Sequence, residues 1–278
     1  MYHLRSFRLG WQSQNIAQFL LYKLAFLSEP VYVGDDVGAD YFCTLFEPRK
    51  NGNNTDLIPC NSFAIQIKSE STVSQLDISG YLPYLVGLEV PYFIGVVDRD
   101  KLQLTVYSGE LLPALFAYRG IPQHLEATLC VSSTLRSDYA GWHSEIRPGN
   151  YSLLFPEAIC LNANDNDHDL QQKAYQLKTR CSIMLKNIAS IKNKEFILKG
   201  MAPGQVLLFA GPDSFNHYED NFLQRLIEAF YNLNWAYDAL PNDRTKNAQK
   251  FGMYEKVYLQ ISSDVGEFYL PGLLLSLA

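Results

Sequence analysis

Asp36-Val-Gly-Ala-Asp40-Tyr-Phe42 and, some twenty residues later, Phe63-Ala-Ile-Gln66-Ile-Lys68-Ser69 decide how this chain is read. Both are apolar runs rich in β-forming residues, with polar positions where a half-buried strand shows one face to water. In the second run, alternation puts Phe63, Ile65 and Ile67 on one face and Gln66 and Lys68 on the other. The polar face is expected to be the one turned away from the core. Asp40 opens the preceding strand. With the two strands paired as neighbours, Asp40 reaches the patch that carries Gln66 and Lys68. An acid, an amide oxygen and an ammonium on one sheet edge suit a divalent cation and an activated water.

An Asp followed by a strand bearing Gln-x-Lys resembles the PD-(D/E)XK, or restriction-endonuclease-like, nuclease superfamily, in the branch where Gln replaces the second acid. The resemblance covers roughly residues 8–110. It implies a restriction-endonuclease-like mixed sheet flanked by helices. It also implies that Asp40 and Gln66 hold Mg²⁺ or Mn²⁺, and that Lys68 orients or activates the attacking water. The superfamily often carries a Glu four residues after a Gly on its first helix; here Gly10 is followed by Gln14. Gln14 joins the expected catalytic set as a partner to a metal-bound water. The motif then supplies one formal negative charge, so weak metal binding is expected, because Mg²⁺ prefers carboxylate and water oxygen to amides. On charge alone, Gln66→Glu would strengthen it.

Bulk composition sets the frame. The chain has 278 residues, 47% hydrophobic and 19% charged, which reads as an ordinary folded globule rather than a disordered chain. Its formal net charge of −6 excludes a globally basic nucleic-acid binder, so any phosphate contact must come from local basic residues. Five cysteines without a Cys-x-x-Cys pair point to reduced thiols and a cytoplasmic setting. No apolar run reaches the roughly 18 residues that span a bilayer. Five scattered histidines offer no zinc spacing.

In chain order, Leu9–Ser28 reads as a first helix with an Ile16, Phe19, Leu20, Leu24, Leu27 stripe, ended by Pro30. Val31–Gly34 reads as a short strand, and Glu47–Asn61 as a polar loop on which Arg49 and Lys50 could meet a phosphate. After Lys68 a helical stretch leads to an interior strand at Pro91–Asp98, an outer strand at Leu102–Tyr107 and a helix at Glu110–Tyr118. Texture changes beyond Gly120, and the bend Arg147-Pro-Gly-Asn150 suggests a boundary. The expected organisation is a nuclease-like domain at 1–148 and a mainly α-helical C-terminal region at 149–278.

That second region opens with an acidic helix start at Asp165, Asp167 and Asp169. Leu170, Leu177, Met184, Ile191 and Leu198 then form a heptad-like seam, suited to packing on another helix. Lys173, Arg180, Lys186 and Lys194 on its flanks are the further candidates for DNA phosphates. The expected function is a metal-dependent phosphodiesterase, a Mg-dependent endonuclease acting on DNA, with room for a homodimer. The alternative is a cleavage-deficient nucleic-acid-binding or interaction subunit of a bacterial DNA-processing or defence system. Its C-terminal helices would dock a protein partner.

Overall fold

The strands of this chain carry apolar residues on both faces, and that sets the architecture. In the computed structural model the described residues are 2–29, 38–51, 54–69, 74–131, 141–192, 197–199, 206–208, 252 and 256. Helix α1 (Tyr2–Leu21) leads into β1 (Ala25–Ser28), β2 (Tyr41–Asn51) and β3 (Asn54–Lys68). β4 (Gln75–Asp77), a 3-10 turn at Ser79–Tyr81 and helix α2 (Leu82–Gly87) connect to β5 (Tyr92–Asp98). Then come β6 (Gln103–Ser108), α3 (Leu112–Arg119), β7 (His124–Cys130), β8 (His143–Arg147), β9 (Asn150–Asn162) and α4 (Asp167–Lys192). β10 (Ile197–Lys199) and β11 (Val206–Leu208) pair antiparallel by themselves.

The first nine strands form one mixed sheet in the order β1-β2-β3-β5-β6-β9-β7-β4, with β8 beside β9. β1, β2 and β3 are antiparallel neighbours, whereas β3 and β5 run parallel. A parallel pair needs a crossover, and the segment holding β4, the turn and α2 supplies it. One apolar core joins Ala17, Leu20 and Leu21 of α1 and Leu177, Cys181 and Met184 of α4 to Phe63, Ile65 and Ile67. A second core joins Leu82 and Leu85 of α2 and Leu112 and Leu115 of α3 to Ala64, Ile94 and Phe155. Alternate residues of β3 thus feed opposite cores, as the period of two requires. Burial on both faces explains why β5 reads as a continuous apolar run. The protein is therefore α/β, with a mixed sheet between helices.

Several expectations change. The first helix ends at Leu21, and Ala25–Ser28 is a strand whose Ala25 and Leu27 are buried while Phe26 and Ser28 are exposed. Pairing with β2 outweighs the helix-like spacing of Leu20, Leu24 and Leu27. The polar loop at Glu47–Asn61 is instead the far part of a long hairpin, with Glu47↔Ile58 and Asn51↔Asn54 in register. The strand at Leu102–Tyr107 is interior, since β6 pairs with both β5 and β9. The boundary at residue 148 lies within the sheet, because β9 pairs with β6, β7 and β8. The bend at Arg147–Asn150 is the turn between β8 and β9. The chain instead divides into units Met1–Gly211 and Pro212–Ala278.

Of the mainly helical region expected at 149–278, residues 150–192 are one long strand and one helix. Nearly all of 209–278 lies outside the described residues, as do the strand expected at 31–34 and Lys194. The heptad seam of α4 packs on the sheet, and Leu198 falls in β10. Among the described residues no helix is long and apolar enough to cross a membrane.

Candidate active site

Asp40 stands one residue before β2, where the ladder with β3 is about to end. Its backbone N–H donates to Ile65 O at 2.9 Å. Its side chain continues the ladder in place of a carbonyl: Oδ2 accepts the backbone N–H of Ile67 at 2.5 Å. The other oxygen, Oδ1, accepts Gln14 Nε2 at 2.8 Å. Helix α1 is anchored through buried Ser13, Ala17, Leu20 and Leu21, and this anchoring places Gln14 on the carboxylate. Tyr41 Oη donates to the Gln14 backbone carbonyl at 3.4 Å. Burial, and next the charge of Asp40, raise the Tyr41 phenol to about 12, so it stays protonated.

Gln66 is where sequence and structure part. It is 4% exposed, not on an open polar face, because the crossover covers that side of β3. Its Oε1 lies 3.1 Å from Tyr92 Oη, the first side chain of β5. The same hydroxyl lies 3.1 Å from Gly38 O. Lys68 is half-buried at the end of β3, with its ammonium 5.8 Å from the centre of the Tyr81 ring, in cation–π range. Tyr81 in turn lies against Gly38. Gln14 and Asp40 are thus joined directly, Gln66 reaches the Gly38–Asp40 segment through Tyr92, and Lys68 reaches it through Tyr81.

The sequence does not mark Gly38, Tyr81 or Tyr92 as parts of a site. A tyrosine opening an apolar strand reads as core. The signal for Gly38 is its place two residues before the acid, in turn chemistry that only a glycine satisfies here.

The basic candidates do not gather at this site. Lys173 Nζ donates to Asp165 Oδ2 at 2.6 Å, and Arg180 Nη1 donates to buried Glu110 Oε2 at 2.5 Å. Lys178 and Lys192 pair with Glu47 and Glu89. Lys186 is exposed on α4, and Arg49 and Lys50 are exposed on the outer part of β2. The concentration of positive charge in α4 is therefore largely spent on acids of other elements. Lys173 and Arg180 are each held in an ion pair within the fold.

Among the described residues no three His, Cys, Asp or Glu side chains converge as a metal cage. The donors at hand are the Asp40 carboxylate and the neutral Gln66 amide. This set fits a cation that keeps most of its waters, the usual habit of Mg²⁺. It does not fit a closed cage. Comparison of the chain with protein-family models, curated proteins and solved structures returned no match.

Proposed function

We propose that this protein is a metal-dependent phosphodiesterase of the restriction-endonuclease-like class, acting on DNA. The observation that carries the reading is the Asp40 carboxylate, fixed by Gln14 and Ile67 at the strand end that also bears Gln66 and Lys68. The antiparallel β1-β2-β3 meander followed by a crossover to parallel β5 supports it. Asp40 and Gln66 would hold Mg²⁺ or Mn²⁺, whose chemistry in such a site is to polarise the scissile phosphate and acidify water. Gln14 and the Ile67 N–H keep the Asp40 carboxylate in one orientation before substrate arrives. Lys68, steadied over Tyr81, offers a positive charge to the attacking water and to charge developing on phosphorus-bound oxygen.

A second reading follows from the same bonds. Both Asp40 oxygens already accept protein N–H groups, which suits a protein that binds DNA without cutting it. Calorimetric titration of Mn²⁺ into wild type and Asp40→Ala, beside a cleavage assay, separates the readings. Binding that disappears in Asp40→Ala, with cutting that needs Mn²⁺ and Lys68, is expected. Equal Mn²⁺ binding by both proteins would dismiss the metal site. DNA retention without cutting would favour the second reading.

A further inference from the structure

Tyr92 Oη sits 3.1 Å from Gly38 O and 3.1 Å from Gln66 Oε1. A phenol has one proton, so two acceptor oxygens face a single donor. Tyr92 and Gln66 are both buried. Whichever oxygen receives the proton, the other meets a hydroxyl lone pair at close range in a medium that screens poorly. Rotating the amide by half a turn removes the conflict, because its oxygen and nitrogen occupy nearly the same volume.

We infer that Gln66 Nε2 donates to Tyr92 Oη, that Tyr92 donates to the Gly38 carbonyl, and that Gln66 Oε1 is thereby turned from the tyrosine as the neutral ligand atom of the site. Tyr92 is a positioning residue: it acts on the site through Gln66 and through the Gly38–Asp40 segment. What Oε1 binds rests on the reading of this site as a cation and phosphate site; the wiring does not. The arrangement also accounts for an amide where the related pattern has an acid. A carboxylate at position 66 has no proton to give Tyr92, and would contest the one that Gly38 receives.

The test is NMR exchange of the Gln66 side-chain amide protons in wild type and Tyr92→Phe. Slow exchange in wild type that is lost in Tyr92→Phe is expected. Exchange unchanged by Tyr92→Phe overturns the wiring, because an amide oxygen turned to Tyr92 leaves those protons without the phenol as partner. The readout uses neither metal nor DNA, so a protein that cuts nothing yet shows this result keeps the wiring and loses the phosphodiesterase reading.

Discussion

Gly38 has φ of +72°, and a Cβ built on it would come within 2.6 Å of the Tyr81 ring. Both facts forbid a side chain, and the second is the harder to relieve, because Tyr81 also lies under the Lys68 ammonium. Gly38→Ala is expected to cost about 2–4 kcal/mol, combining left-handed strain with overpacking. The urea midpoint measures this; a change under about 0.5 kcal/mol would mean that Tyr81 moves aside easily. Asp40, Gln66 and Lys68 are legible as a group because polar residues at fixed places on apolar elements stand out, whereas Gln14 joins them only through the resemblance. The burial of Gln66 is not legible. It depends on the crossover that covers the second face of β3, and nothing within Phe63–Ser69 reports on that. Tyr92 is hidden for the converse reason: its ring belongs to the core and its hydroxyl to the site.

Elements show the same split between local and distant causes. β5 is readable because a strand buried on both faces is apolar throughout. The outer part of the β2–β3 hairpin is not, because Pro48, Arg49 and Lys50 on one strand and Asp56, Leu57 and Pro59 on the other are all exposed. With no buried face there is no alternation to read. Helix α4 is recognisable, but the density of its basic residues says nothing of the partners of Lys178, Arg180 and Lys192, which come from β2, the approach to α3 and the α2–β5 connection. The pair Arg180–Glu110 is the most buried of these. Burial raises the Glu110 carboxyl, and Arg180 offsets part of that rise. Arg180→Met removes the offset and leaves a lone buried acid, for an expected loss of about 3–5 kcal/mol near neutral pH. Because the Glu110 pKa would rise further, the loss should shrink as pH falls toward the glutamate range, where the acid becomes neutral. Thermal melts of Arg180→Met at several pH values check the slope, and adding Glu110→Gln should recover most of the loss. A deficit independent of pH would assign it to packing alone.

At the scale of the whole molecule, the sequence suggests a break at 148 because the Pro-Gly turn there looks like many linkers. A turn cannot reveal that the strand after it lies inside the sheet. The first half of β9 pairs with β7 and β8, and its second half with β6. A chain ending at residue 148 should therefore lack a cooperative thermal transition by circular dichroism. A chain ending at residue 211 keeps the unit Met1–Gly211 and should melt cooperatively. Sharp melting of the shorter chain would restore the earlier boundary. The position of β9 also orders events in time. During synthesis, β6 and β7 emerge well before the strand that joins them, and each must hold an open hydrogen-bonding edge until residue 162 is clear of the ribosome. At about 5–20 residues per second, that wait for more than thirty residues lasts seconds, long against hairpin formation. The nascent protein spends that interval with two sticky edges, and its yield in the cell should depend on what shields them.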